Sequence, residues 1–346
     1  MVYYGYASYY PYFKYAALAI IAVALPIVAL VILKLFQKLS VGRCRSMVCL
    51  IGKTAIVTGA CSGLGFQTAL VLASRGARVI LADKVDLSKA KKKIIQKTHN
   101  ENVVTKHLDL ASLDSVRKFA KDVNATEERL DILINNAGVG SVGNKYTEDG
   151  LHPTMQINHF GPFLLTHLLT DLLKKSAPSR VIFVSSASAF ITNLTVDNLN
   201  YPENHPLSLY YTTLIYGNSK LCNVIAANGF AERLKDSGVT SNSLHPGMVN
   251  TDIYLKSGSF LGLKSFAKLF RNIVLFSYGK TAEEGAQTII HLALCNKLKE
   301  VTGKHFWDCR LFPSPPGTWN KKFADIIWEK SEELVGLKPE EKLKEE

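Results

Sequence analysis

"TGACSGLG", residues 58–65, sits between a short apolar run and a stretch of helical composition. Gly59, Gly63 and Gly65 allow a tight turn and a close backbone approach to a pyrophosphate, which the N-terminus of the next helix stabilises. Thr68 stands where a strict G-x-G-x-x-G fingerprint has its last glycine, so the spacing fits a T-G-x-x-x-G-x-G variant instead. No Lys-Ser or Lys-Thr ends the loop, which speaks against an NTPase phosphate loop. A structural turn would use glycines too, so the neighbouring sequence has to decide.

On either side, short apolar runs alternate with helical stretches. "TAIVTG" (54–59), "ARVILAD" (77–83), "NVVTKHLDL" (102–110), "LDILINNAG" (130–138), "RVIFVSS" (180–186), "SNSLHPG" (241–247) and "VTGKHFW" (301–307) read as strands. Helices are expected over about 63–75, over a lysine-rich stretch near 89–97, from an N-cap at Ser112, and as one long helix over 156–175. Uniformly apolar strands, each followed by a helix, predict an α/β fold: a doubly wound, Rossmann-like parallel sheet in a single domain over 52–337. Ligands on such sheets bind at the carboxyl ends of the strands.

Asp83 ends the second strand, where a carboxylate can accept from both hydroxyls of an adenine ribose and repel a 2′-phosphate. That favours NAD, whereas Lys84 beside it would attract the phosphate of NADP. "YGNSK" (216–220) puts Tyr216 and Lys220 on one helix face. A phenol titrates near 10, and bringing it to about 7 requires roughly 4 kcal/mol. An ammonium about 4 Å away at an effective dielectric near 20 supplies roughly that. The pair can therefore serve as general acid and base between an alcohol and a carbonyl. Ser186, with Ser185 as its neighbouring candidate, can hold the substrate oxygen. Asn158 can hold a water that links Lys220 to solvent.

Taken together, "TGACSGLG", "LDL" with Asp109, "NNAG" (135–138), Asn158, "VSS", "YGNSK" and "HPGMVNT" (245–251) resemble a short-chain dehydrogenase/reductase. "NHFGPFLLTHLL", "SAPSRVIFVSS", "GVTSNSLHPG", "EEGAQT" and "GKHFWDC" are similar to its membrane-anchored retinol dehydrogenase branch. The resemblance implies Tyr216 as acid/base, Lys220 as its tuner and ribose contact, Ser186 as substrate orienter and Asn158 in the relay. It further implies cofactor contacts from Gly59, Ser62, Gly63, Leu64 and Gly65, and from Asp83, Lys84 and Asp109. Asn135, Asn136, Ala137 and Gly138 join them from the fourth strand, and Pro246, Gly247, Val249 and Thr251 from the sixth. The branch usually has a small residue and then arginine at positions 83 and 84, so its usual NADP preference is in question here. A tyrosine-bearing insertion spans about 190–215. The apolar segment 259–276, with spaced basic residues, reads as a substrate flap, a second membrane contact or a core helix.

Ahead of this domain, "YAALAIIAVALPIVALVIL" (15–33) is nineteen residues without a charge. As a helix it spans roughly 28 Å, close to the hydrocarbon thickness of a bilayer. The expected organisation is a tyrosine-rich N-terminus (1–14), a transmembrane anchor (15–36), a linker (37–51), the domain, and a charged tail (338–346) that is solvated or disordered. Lys34, Lys38, Arg43 and Arg45 follow the span and only Lys14 precedes it within the segment, which leaves the domain cytoplasmic. The sequons at Asn124 and Asn193 would then escape glycosylation. The tyrosines between Tyr3 and Tyr12 would form an interfacial belt.

The formal charge of +12 comes without a nucleic-acid-binding motif, and membrane lipids are the expected partner for the basic residues beside the anchor. Six cysteines without a Cys-x-x-Cys pair suggest reduced thiols, with palmitoylation at Cys44 and Cys49 as the alternative. His152, His159, His245 and His291 lack metal-ligand spacing, and no metal is expected. The function expected is hydride exchange between NAD or NADP and a lipophilic alcohol or carbonyl: retinoid, steroid or fatty. Endoplasmic reticulum is the membrane the family suggests, with lipid droplet and mitochondrion as alternatives, and a homodimer is left open. A non-catalytic membrane scaffold is the competing class. A nucleotide-sugar epimerase would want T-G-x-x-G-x-x-G.

Overall fold

The computed structural model describes residues 10–140, 142–250, 265 and 279–343, apart from several side chains of the first helix. Five strands carry the alternation from the glycine turn onward: β1 (Thr54–Thr58), β2 (Arg78–Asp83), β3 (Val103–His107), β4 (Ile132–Asn135) and β5 (Ser179–Val184). β6 (Val239–His245), β7 (His305–Trp307) and β8 (Arg310–Phe312) complete one sheet, in the order β3-β2-β1-β4-β5-β6-β7-β8. Every pairing is parallel except β7 with β8, whose antiparallel hairpin extends the expected all-parallel sheet by an edge strand. β1, β4 and β6 are buried along their whole length, as strands covered on both faces must be.

Two apolar cores flank the sheet. α2 (Gly63–Ser74), α3 (Ser88–Thr98) and α7 (Ala282–Leu294) cover one face, with Leu72, Ile94 and Ile289 packed on Val57 and Leu81. α4 (Leu113–Thr126), α5 (Gly161–Lys175), α6 (Leu209–Arg233) and α8 (Lys321–Leu334) cover the other, where Phe119, Phe163, Phe230 and Trp328 meet Leu133 and Phe183. Ser112 caps α4 as expected, its side chain accepting from the Ser115 N–H at 3.2 Å. The chain reverses its direction across the sheet between β1 and β4, so a cleft opens there at the carboxyl ends.

Several expectations change. The helix expected over 156–175 is interrupted: Pro153–Met155 starts a helical turn, Gln156–Phe160 winds as a π-helix, and only then does α5 begin. α1 (Tyr10–Ser40) has 31 residues and overruns the predicted span of 15–36 at both ends. Its described large apolar side chains from Leu18 to Leu35 are 52–68% exposed. The side chains at 23, 26, 27, 30 and 33 lie outside the described residues; among those described, no helix is long and apolar enough to cross a membrane.

The stretch expected as a linker is docked beyond Ser40. The Cys44 N–H donates to Gln287 Oε1 at 3.0 Å, Ser46 Oγ to the Leu294 carbonyl at 2.8 Å, and the Leu50 N–H to the Arg75 carbonyl at 2.8 Å. In the tail, Lys338, Pro339, Glu340 and Lys342 are exposed as expected, but Glu341 and Leu343 are tied to the domain. Glu341 accepts two bonds from the Arg117 guanidinium, both at 3.1 Å, which holds its carboxyl below the usual range against the opposing effect of burial. Leu343 packs against the core. Thr251 lies outside the described residues, and so does 259–276 except Ser265.

Candidate active site

The glycine turn is built by contacts that exclude a side chain. Gly59 has φ +67°, and a Cβ there would stand 2.8 Å from Cα of Ala137. A Cβ at Gly65 would stand 2.2 Å from the Gly59 carbonyl oxygen, so the first turn of α2 rests directly on the loop. Thr58 ties β1 to β4: its Oγ1 accepts from the N–H groups of Asn136 and Ala137, both at 3.0 Å. Asn136 Nδ2 donates back to the Thr58 carbonyl at 2.8 Å. Its amide is thus spent on bracing the loop, a role the sequence did not suggest.

A cleft of about 410 Å³ runs from this loop to the end of β6. Gly59, Ser62, Gly63 and Leu64 line one end, with Asp83, Lys84 and Asp109 at the rim. Asn136, Ala137 and Gly138 form its floor; Ser185, Ser186, Tyr216, Lys220, Pro246, Gly247 and Val249 line the other end. Three expected residues do not line it. Gly65 is buried beneath the loop, and Asn158 stands behind Gly138. Asn135 points into the core, where its Nδ2 donates to Thr166 Oγ1 at 2.9 Å and its Oδ1 has no partner. An asparagine at a strand's last position faces the core or the cleft according to the pleat, which composition does not set.

Asp83 accepts from the Lys84 N–H at 2.8 Å and the Cys61 N–H at 3.4 Å, which joins the rim to the glycine loop. Backbone donors thereby orient its carboxylate at the rim of the cleft. Glycines without room for a Cβ, a helix N-terminus and an acid at the end of β2 form a cradle that fits a dinucleotide.

At the other end, α6 carries Tyr216 and Lys220 against β5. Lys220 is buried, and its Nζ donates to the Val184 carbonyl at 3.1 Å and lies 5.7 Å from the Tyr216 ring centre. Burial lowers Lys220 to about 8. At pH 7 the ammonium form still predominates. Ser185 Oγ donates to the Lys220 carbonyl at 2.6 Å, so Ser185 fastens the helix to the strand and Ser186 is left to face the cleft. Ser186 caps a 3₁₀ turn over Ala187–Phe190, accepting from the Ser188 N–H at 3.2 Å. Asn158 is clamped by the backbone of Val139, as acceptor at 2.8 Å and donor at 2.9 Å, and its Nδ2 also donates to Ser219 Oγ at 2.9 Å. A Cβ on Gly138 would lie 3.1 Å from Lys220 Nζ and 3.3 Å from Asn158 Oδ1, so the two polar ends converge on that glycine.

One residue escaped the sequence reading. Gly217 lets α6 approach the 3₁₀ turn: a Cβ there would stand 2.5 Å from the Ile191 carbonyl oxygen and 2.8 Å from that of Ser188. The available signal was a glycine inside a helix, which costs about 1 kcal/mol and needs a reason. His245, expected as a structural histidine, accepts from the Ala187 N–H at 3.0 Å and so braces the turn that follows Ser186. Burial first, then the charge of Lys280, lower His245 to about 3 and keep it neutral.

Residues 53–197 match the family model described as short chain dehydrogenase. Retinol dehydrogenase 11 of Mus musculus is 41% identical over 322 residues, covering 91% of this chain and 96% of the relative. Retinol dehydrogenase 13 of Homo sapiens is 41% identical over 298 residues, covering 86% and 88%. Among solved structures, an uncharacterized protein from Mycobacterium Paratuberculosis superposes with a TM-score of 0.64 at 26% identity, covering 84% of this chain and 95% of that one. The oxidoreductase yciK from E.coli shares the fold, with a TM-score of 0.58 at 21% identity over 76% of this chain and 98% of its own. The chain belongs to the short-chain dehydrogenase/reductase family and, within it, to the retinol dehydrogenase-like branch of NAD(P)-dependent enzymes.

Proposed function

We propose that this chain is a membrane-anchored oxidoreductase that interconverts a lipophilic alcohol and its carbonyl, with a retinoid as the leading substrate. The observation that carries the reading is the convergence of Tyr216, Lys220 and Ser186 at one end of a cleft whose other end is a dinucleotide cradle. The nicotinamide cofactor supplies or accepts the hydride when bound. Ser186 Oγ, whose bond to Ser188 Oγ is a long 3.4 Å, exchanges it for the substrate oxygen. Tyr216 takes the hydroxyl proton during oxidation and returns it during reduction. The Lys220 ammonium favours the phenolate, and Asn158 holds the floor on which that ammonium rests. Asp83 favours NAD through the ribose hydroxyls, and Lys84 is the residue that would admit NADP.

The anchor is the exposed apolar length of α1, followed by Lys34, Lys38, Arg43 and Arg45 on the cytoplasmic side. An apolar substrate partitions into the bilayer, and a tethered site samples it there. The domain of 52–337 then works at the cytoplasmic face, with endoplasmic reticulum as the expected membrane. The test is turnover by the purified full chain in lipid, with NAD or NADP and with retinol, a sterol alcohol or a long-chain alcohol. Cofactor binding without turnover on any of them would refute the proposal.

A further inference from the structure

Pro246–Val249 forms the wall of the cleft beyond β6, and the segment that holds it lies outside the cleft. Lys280 bridges to it through the backbone: its N–H donates to the Met248 carbonyl at 2.7 Å and its carbonyl accepts from the Asn250 N–H at 2.9 Å. The side chain then passes beneath the turn. Its Nζ donates to the Pro246 carbonyl at 3.3 Å and pairs with the Asp308 carboxylate. Gly247 has φ +93°, and a Cβ there would stand 2.8 Å from both Cε and Nζ of Lys280. The amine occupies space that only a glycine leaves.

This cation is 4% exposed, and its carboxylate partner sits in the turn between β7 and β8, where Asp308 and Cys309 hold φ of +50° and +59°. Two consecutive non-glycine residues in the left-handed region cost conformational energy. A buried ion pair is a poor way to recover it, since well-packed apolar residues usually do as well or better. What the pair does provide is direction: one cation fixes the height of the Pro246 carbonyl and the path of the chain through Gly247.

We infer that Lys280, held by Asp308, is a positioning residue that sets the Pro246–Val249 wall against the bound dinucleotide and thereby its affinity. The inference rests on the proposed placement of the cofactor in this cleft. It is tested on the full chain in detergent or lipid, with NADH and NADPH binding followed by nucleotide fluorescence and folding by thermal unfolding. Lys280→Met combined with Asp308→Asn removes both charges and keeps at 308 a residue that tolerates φ +50°. The expected result is a melting temperature near wild type, a dissociation constant raised at least about tenfold, and a KM for cofactor that rises far more than kcat falls.

If wild type binds neither nucleotide, the placement of the cofactor fails rather than the role of Lys280. If wild type binds and the folded double variant binds equally tightly, the role of Lys280 is refuted. Should the double variant not fold, Lys280→Met alone decides. It removes the cation beneath the turn and leaves Asp308, whose side chain is 24% exposed, in place, and unchanged affinity there overturns the inference.

Discussion

Gly217→Ala tests the packing that brings the two halves of the catalytic end together. On an open helix face this change would stabilise the protein by about 1 kcal/mol. Here the new methyl would sit 2.5 Å from the Ile191 carbonyl oxygen, some 0.9 Å short of the 3.4 Å at which ordinary contact begins. The second clash, with Ser188, lies in the turn that Ser186 caps, so α6 and the turn must separate. Overpacking of this kind costs about 1–3 kcal/mol, which outweighs the gain in helix propensity. A displacement approaching 1 Å between Ser186 and Tyr216 lowers kcat by up to about 100-fold. Thermal unfolding and steady-state oxidation of retinol would read both effects, with dinucleotide affinity measured separately. A Gly217→Ala variant with a raised melting temperature and wild-type kcat would refute the reasoning.

Lys220→Met removes a buried cation whose pKa falls from 10.5 to about 8 on folding. Between those values the unfolded chain binds more protons, so this group's penalty is complete below pH 8 and fades as pH rises to 10.5. The variant should therefore melt higher than wild type at pH 7, with the gap closing towards pH 10.5 in a pH series of melts, while activity is lost; Asn223 Nδ2, 3.3 Å from the Val184 carbonyl, keeps that oxygen satisfied. Asp83→Asn keeps the acceptor for the Lys84 N–H and removes the charge, so NADP should bind at least about tenfold tighter by titration and NAD somewhat weaker. Gly42→Ala would place a methyl 2.0 Å from the Asp308 carbonyl oxygen and should release residues 41–50, read as faster proteolysis there and a loss of about 1–3 kcal/mol on unfolding.

The parts legible in the sequence are those written in local pattern. Short apolar runs marked β1, β2, β4 and β5, whose apolar residues are buried on both faces, whereas β6 is buried along its length although Thr240, Ser241, Asn242 and Ser243 are polar. Gly59, Gly63 and Gly65 marked the turn by type and spacing, and Tyr216 with Lys220 was visible because four residues make one helical face. What the sequence hid depends on partners far along the chain. Cys44 meets Gln287, Arg117 meets Glu341, and Lys280 reaches beneath Gly247; none of these pairs leaves a periodic trace. The π-helix over Gln156–Phe160 was hidden for a different reason, since its residues suit an α-helix and only its hydrogen-bond register differs. The short β8 escaped because three residues, two of them exposed, show no apolar run.

Tyr216→Phe gives the most direct reading of the proposed chemistry. The substitution removes one hydroxyl and leaves the ring, the helix and the dinucleotide cradle in place. In single-turnover mixing with NAD and retinol, nucleotide fluorescence should show binding close to wild type, while nicotinamide reduction slows by roughly 100- to 10,000-fold. Transfer at the wild-type rate with cofactor bound would show that the phenol carries no proton in this reaction.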